Sequence, residues 1–236
     1  MHDRRIDGDT FTFGNEGALF MNAMTWWDWE TNSIWSQPWG AAIDGELSGT
    51  RLTLLPFELV PWSSWIARHP ESKVLVDERG DFEYRGRIPV DQFVIGISIG
   101  EAAKAFYFAS SANAGVVNDF VGEFPVAVFV DSSTRVIDAY FRRAHRSEQV
   151  DNNPNASSEL LTFTPAGSEK STGANLYRDE QTGSTWDIVR GVAIEGSMKG
   201  AILQRAPFVS AYDWAWGDFN PHSEFWGDQL DEMNSE

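Results

Sequence analysis

Two stretches of this chain, 151 residues apart, carry nearly the same sequence. Residues 31–45 read TNSIWSQPWGAAIDG, and residues 182–196 read TGSTWDIVRGVAIEG. Without a gap, 14 of the 42 positions between 31 and 72 are identical to their counterparts, including Trp35/Trp186, Pro56/Pro207 and Trp65/Trp216. Because tryptophan and proline are rare, their recurrence in register predicts an internal duplication. Two copies are more typical of a pseudo-twofold pair of lobes than of a solenoid.

The pairing extends upstream of these stretches. DTFTFGNEG (9–17) resembles ELLTFTPAG (159–167), and the Arg4-Arg5 pair resembles Arg142-Arg143. Two apolar runs precede the second arginine pair, but only three residues precede the first. We therefore predict a first half at 1–90, clipped at its start by about two strands. The second half, with bridging strands, is predicted at 91–236, and the two halves are expected to form one compact unit.

Short apolar segments bounded by turn residues dominate the chain. TFTFG, TRLTLLPFELV, FVIGISIG, PVAVFVD and RVIDAYFRR are rich in Val, Ile, Thr and Phe, as strands are. Helix signals are confined to SSWIARHP (63–70), its counterpart 215–221, and EAAKAF (101–106). We predict a mostly β fold made of two duplicated, pseudo-twofold-related β-rich halves with a few short helices.

Five longer motifs surround the repeat: ETNSIWSQPWGAAIDGELSGTRLTLLPFELVPWSSWIARHPESKVL, VIGISIGEAAKAFYF, VVNDFVGEFPVAVFVD, QTGSTWDIVRGVAIEGSMKGAIL and DWAWGDFNPHSEFW. These motifs resemble the domain of unknown function family 3179 (DUF3179). Together they cover nearly all of residues 10–226. The resemblance implies a bacterial or archaeal protein with an extracytoplasmic location and no assigned activity. The Cys-Pro-Leu-Thr-Gly-like segment with which members commonly begin this module is absent from the chain.

The composition narrows the classes of partner. The net charge is −17, and acidic residues are spread along the chain, so we predict no nucleic-acid partner, because such binders carry a basic face. Abundant Asp and Glu with little Lys suits a halophilic source, and an ordinary acidic bacterial or archaeal protein is the alternative. No apolar run approaches the ~20 residues of a membrane span. With no cysteine, thiolate chemistry is excluded.

The tryptophan-rich segment TWWDWETNSIWSQPW (25–39) supplies candidate ligand-binding residues. The repeated Trp35, Trp186, Trp65 and Trp216 are predicted to lie in the core. The unrepeated tryptophans are free to stack on a sugar or another small polar ligand, with neighbouring amides binding hydroxyls. The predicted ligand-binding residues are Trp27, Trp29, Trp39, Asn32 and Gln37.

Carboxylates and histidines supply weaker candidates. Asp28 and Glu30 occupy alternate positions of a predicted strand, so we expect them to face the same way, as the acid–base pair of a hydrolase would. His69 and His222 flank equivalent prolines of the repeat and are the candidate metal ligands. No cofactor is predicted, and a metal is not excluded.

These features favour an extracytoplasmic binding or scaffold protein with a Trp-rich cleft between its halves. Its ligand would be a glycan or a small polar molecule. The alternative is a carboxylate-dependent hydrolase. The sequence leans against an enzyme, because no catalytic set is convincing, and it leaves the oligomeric state open.

Overall fold

The structure is a computed structural model and describes residues 1–74, 92–131, 136–145, 159–166 and 176–227. In chain order the strands are β1 (Arg5–Ile6), β2 (Asp9–Thr10), β3 (Phe13–Phe20), β4 (Ala23–Asp28), β5 (Ile34–Ser36), β6 (Ala41–Asp44), β7 (Phe93–Ile99), β8 (Ala102–Tyr107), β9 (Val116–Val121), β10 (Phe124–Asp131), β11 (Val136–His145), β12 (Phe163–Pro165), β13 (Leu176–Asp179), β14 (Thr185–Asp187), β15 (Val192–Glu195), β16 (Ile202–Arg205), β17 (Val209–Tyr212) and β18 (Glu224–Trp226). The helices are α1 (Trp62–Arg68), α2 (Phe108–Ala114) and α3 (Asp213–Phe219).

The predicted mostly β fold is confirmed, and each helix of the described ranges has seven residues. The expectation of a helix at EAAKAF was wrong, because this segment forms β8 and pairs antiparallel with β7. None of the helices in the described ranges has the length and apolar character needed to cross a bilayer.

The largest sheet has eight strands in the order β12-β13-β14-β15-β16-β11-β10-β9. It curls until its edge strands meet, where the Asn118 side chain exchanges two hydrogen bonds of 2.8 and 2.9 Å with the backbone of Phe163. Strand β10 is buried on both faces, as its continuous apolar sequence predicts. Val126, Val128 and Val130 enter one core cluster, and Ala127 and Phe129 enter another.

Two four-stranded sheets complete the fold, together with the β1–β2 pair. The order β3-β4-β5-β6 forms the sheet of the first half. The other four-stranded sheet has the order β17-β7-β8-β18, and α3 packs on this sheet through Trp216. The ring of Trp216 lies so close to Gly96 that a Cβ at Gly96 would overlap it, which accounts for a glycine inside the apolar strand β7.

The two halves share a set of hydrogen bonds residue by residue. Asp28 accepts bonds from the indole of Trp35 (2.8 Å) and the backbone N–H of Thr31 (2.6 Å). The equivalent Asp179 accepts the same bonds from Trp186 (2.9 Å) and Thr182 (2.5 Å). Helices α1 and α3 occupy positions 151 residues apart. These contacts support the predicted duplication, and the twofold relation between the halves stays a prediction.

The halves meet through a stacked aromatic pair and a buried ionic network. Phe57 stacks on Phe208 at 4.4 Å between ring centroids. Beside this pair, Arg205 contacts Glu58 (3.1 Å) and Asp138 (3.0 Å). Burial raises the pKa of Asp138 to about 8, although the Arg205 guanidinium opposes the shift. Arg205 thus links Glu58 of the first half to Asp138 of the second half.

Candidate functional site

A cavity of about 640 Å³ lies at the junction, between the first-half sheet and the second-half elements β17 and α3. Most of the lining side chains are apolar. The first half contributes Met1, His2, Arg4, Phe13, Trp26, Gln37, Pro38, Leu52 and Phe57, and the second half contributes Val209, Ser210, Ala211, Ala215, Trp216, Phe219 and Asn220.

Three rings form the first-half wall of this cavity. Trp26 stands on β4, with Phe13 of β3 6.0 Å away and His2 5.8 Å away, both edge-on. Trp26 pairs with Trp35 across β4 and β5, and the fully buried Trp35 is held by Asp28. The wall is therefore fixed by the repeated hydrogen-bond frame beneath it.

His2 is hydrogen-bonded to the backbone within this wall. Its Nε2 lies 3.1 Å from the carbonyl oxygen of Gln37, which can only accept, so Nε2 carries the proton. Burial lowers the pKa of His2, and the adjacent amino terminus lowers it further, while the bond to Gln37 acts in the opposite direction.

The second-half wall is equally constrained. The Trp216 indole donates to Ser223 Oγ at 2.6 Å, and the Trp39 indole donates to the backbone oxygen of Phe219 at 2.6 Å. Trp39 also packs edge-on against the ring of Phe219 at 5.3 Å and lies 5.7 Å from Phe20. Trp39 therefore ties the two halves together beside the cavity and does not offer an open face.

His2, Phe13 and Trp26 form a group of three rings that we call the first-half slot. The equivalent residues of the second half are Tyr140, Phe163 and Tyr177, which we call the second-half slot, and this slot is filled. Phe129 occupies the second-half slot, with its ring 4.8 Å from Tyr177, 5.4 Å from Phe163 and 6.1 Å from Tyr140. The three residues of the first-half slot all line the cavity instead.

The predicted ligand-binding residues do not come together at one site. Among them, Gln37 alone lines the cavity. Trp29 is 71 % exposed and lies 5.4 Å from the partly buried Trp27, whose indole covers Gly14. Asn32 is exposed in a turn with φ 57°. Trp27 and Trp29 thus form a separate aromatic surface outside the cavity.

The predicted alternation of Asp28 and Glu30 on one strand was wrong. Strand β4 ends at Asp28, and Glu30 lies in the following turn. Asp28 is fully buried; burial alone would raise its pKa, but hydrogen bonds from Trp35 and Thr31 outweigh that effect and lower it. Exposed Glu30 accepts the backbone N–H of Thr12 at 2.9 Å. Both carboxylates thus hold the frame.

The candidate metal ligands lie at the surface, after equivalent helices. His69 stacks against Trp65 with 4.2 Å between ring centroids, and His222 is exposed in the turn after α3. In the described ranges, no group of three or more His, Asp or Glu side chains is arranged to hold a metal ion.

Sequence reasoning missed the first-half slot. None of its residues, His2, Phe13 and Trp26, is among the predicted site residues. The repeat pairs Trp26 with Tyr177, but only the structure shows that Tyr177 is buried beneath Phe129 while Trp26 is partly buried. The unequal burial of Trp26 and Tyr177 marks the place where the packing of the two halves differs.

The comparisons with known proteins identify a family and no activity. The model of one family, described as protein of unknown function (DUF3179), matches residues 1–86 and again residues 81–223. No curated protein matches the chain, and no solved structure does.

Proposed function

This chain belongs to the family described as protein of unknown function (DUF3179), and we propose from its own geometry that it is a binding protein whose ligand enters the junction cavity. The observation that carries the proposal is the cavity itself. Its volume lies within the ~300–1,000 Å³ typical of small-molecule sites. Its walls come from both halves and are held in place by hydrogen bonds of Trp35 and Trp216.

The walls favour a ligand that is largely apolar with a few polar groups. Phe13, Trp26 and Trp216 present aromatic surface, whereas Gln37 and Asn220 add amide groups. A ligand seated between the halves would remove apolar surface from water on both sides, at roughly 25 cal/mol per Å². In keeping with the family resemblance, we propose that binding takes place outside the cytoplasm.

The test of this proposal is a fragment screen by thermal shift, repeated on two variants of α3. Ala215 lines the cavity, so Ala215→Phe should fill part of it and weaken each hit at least about tenfold. Asp218 is exposed on the same helix, so Asp218→Phe is the matched control and should bind as the wild type does. Near-ultraviolet circular dichroism checks that both variants fold. Hits that bind Ala215→Phe undiminished would contradict a site in the cavity.

A second candidate is carbohydrate binding at Trp27 and Trp29. The exposed face of Trp29 and the adjacent Trp27 ring are typical of a sugar-stacking surface. Affinity gel electrophoresis in soluble polysaccharides tests it. Trp29→Ala should abolish retardation, and Trp62→Ala, which removes another half-exposed indole, should not. Equal migration of the two variants in every polysaccharide would end this candidate.

The alternative of a carboxylate-dependent hydrolase receives less support. The hydrogen bonds that keep Asp28 ionised also occupy its oxygens, so it is not placed to donate a proton.

A further inference from the structure

The two indoles outside the junction cavity lie on a face of the sheet that carries charged side chains in the other half. We infer that the sugar chain bound at Trp27 and Trp29 carries protonated amino groups, so that the ligand is an amino-sugar glycan. This inference rests on the second candidate function, carbohydrate binding at these tryptophans, and names its ligand class.

The sheet face that carries Trp27 is equivalent to an exposed face of the second half. Trp27 pairs with Ile34 across β4 and β5, as Arg178 pairs with Thr185 across β13 and β14. Arg178 is exposed, so this face is turned to solvent in the second half as well. The first half therefore places an indole at a point of the sheet where the second half places a solvated guanidinium.

Trp29 also has a charged counterpart. Its backbone N–H donates to the carbonyl oxygen of Thr12 at 2.9 Å, and the backbone N–H of Glu180 donates to that of Thr162 at 2.9 Å. Trp29 and Glu180 are both exposed. Two indoles in contact thus stand where the other half has an arginine and a glutamate, and contiguous apolar surface of this kind is typical of a binding site.

Glu30 carries a charge that its hydrogen bond does not require. Its carboxylate accepts the backbone N–H of Thr12 at 2.9 Å, and the amide oxygen of the equivalent Gln181 accepts that of Thr162 at 2.7 Å. Because an uncharged amide makes the same bond, the fold does not depend on the negative charge of Glu30. The bond instead holds an exposed carboxylate beside Trp29.

A second carboxylate ends the row of side chains that contains Trp27. Ile34, its partner on β5, pairs in turn with Asp44 on β6, and Asp44 is exposed. The equivalent row of the second half ends in Glu195 but contains Arg178. Because Trp27 takes the place of this arginine, the first-half row keeps its carboxylate and has no cation.

Indoles flanked by carboxylates favour a cationic ligand. The negative face of an indole attracts a positive charge, and tryptophan is the best aromatic partner for an ammonium group. Charge complementarity then selects between ligands of the same shape. Glu30 and Asp44 disfavour glycans with uronic acid or sulfate groups, as does the net charge of −17. A sugar with a protonated amine suits both the indoles and the carboxylates.

The experiment compares the glucosamine hexamer of chitosan with the N-acetylglucosamine hexamer of chitin, which have the same chain and differ in acetylation of the nitrogen. Each is titrated into the full chain by isothermal titration calorimetry, at low ionic strength and at a slightly acidic pH that keeps the amine protonated. We expect the glucosamine hexamer to bind about tenfold more tightly, the ratio that one exposed cation–π contact and one exposed ion pair supply together. Added salt should reduce this preference.

Two matched variants each remove one negative charge. Glu30→Gln installs the residue of the second half and can keep the bond to Thr12, so it should reduce the preference to about threefold or less. Glu180→Gln removes an exposed carboxylate at the position equivalent to Trp29, so it should keep the full preference. Trp29→Ala should abolish binding of both hexamers. Near-ultraviolet circular dichroism checks that the three variants fold.

The outcomes separate this inference from the carbohydrate candidate. Equal affinity for the two hexamers, or tighter binding of the acetylated one, would overturn the amino-sugar inference, and the candidate survives if Trp29→Ala abolishes that binding. An equal loss of preference in Glu30→Gln and Glu180→Gln would also overturn it, because the preference would then come from the overall negative charge. If neither hexamer binds the wild type, the inference fails, and the candidate fails with it unless another polysaccharide is retained through Trp29.

Discussion

Removing the ring that fills the second-half slot should convert it into an open slot. Phe129 is 1 % exposed and packs against three aromatic rings. Truncation to alanine removes the whole ring and leaves a void bounded by those rings, a change that typically costs about 3–5 kcal/mol. We expect Phe129→Ala to lower the free energy of unfolding by about 4 kcal/mol, because strands on both sides of β10 prevent the walls from collapsing.

The matched control lies one residue away. Val128 is equally buried but points to the other core cluster, which contains Phe106 and Phe208. Val128→Ala should cost about 2 kcal/mol without opening an aromatic slot. Urea unfolding of wild type and both variants measures these values, with and without toluene. At ten times its dissociation constant, a ligand of the native state adds about 1.4 kcal/mol.

Toluene should therefore stabilise Phe129→Ala by about 1.4 kcal/mol more than it stabilises Val128→Ala, in which the second-half slot remains filled. The reasoning is refuted if Phe129→Ala costs less than about 1 kcal/mol, or if toluene stabilises both variants equally. Either result would mean that Phe129 does not fill a discrete slot, and the comparison with the first half would lose its basis.

Four further predictions concern the frame and the junction. Asp28→Asn and Asp179→Asn should each lower the free energy of unfolding by about 2–4 kcal/mol in urea, because each places an amide opposite indole N–H donors. Because the pKa of Asp28 is lowered in the folded state, ionised Asp28 stabilises the fold above about pH 4, and this stabilisation is lost as pH falls through the folded-state pKa. Asp28→Asn should therefore make the free energy of unfolding less dependent on pH in the acid range. The pKa of Asp138 is raised to about 8, so its effect on stability runs in the opposite direction. The stabilisation is full below about pH 4 and is lost as pH rises to about 8. Asp138→Asn should therefore remove a fall in the free energy of unfolding of up to about 1.4 kcal/mol per pH unit between those values, measured by urea titration. Trp39→Phe should lower stability by about 1 kcal/mol in the same assay, through loss of the bond to Phe219.

The sequence predicted those features whose cause is local or repeated. Trp35, Trp186 and Trp216 are buried, as their recurrence in both copies predicted, and Trp65 is partly buried. The helix at 63–70 is present as α1, with Pro61 at its N-terminal cap position and no side-chain cap. These signals are readable because rare residues kept in register report on packing that both halves share.

The sequence failed where long-range pairing decides the outcome. EAAKAF carries good helix formers, yet it forms β8 because β7 pairs with it along its length and buries Ala103 and Ala105. Asp28 was a candidate for acid–base chemistry, and only the fold shows that Trp35 and Thr31 occupy its oxygens. The cavity was equally hidden, since its two walls lie more than 150 residues apart in the sequence.

The equivalence of the slots also limits how strongly the first half alone can bind. A ring in the slot gains stabilisation comparable to that of Phe129, about 3–5 kcal/mol, but association of a free molecule costs about 4 kcal/mol or more. The net gain is therefore small, so a lone ring should bind weakly. Any tighter ligand must draw the remaining free energy from Trp216, Phe219 and Asn220 on the second-half wall. Affinity would then depend on how the halves are held against each other, and the Glu58–Arg205 contact and the Trp39–Phe219 bond hold them. Trp39, predicted as a ligand contact, would in that case act on binding by positioning the wall that the ligand touches.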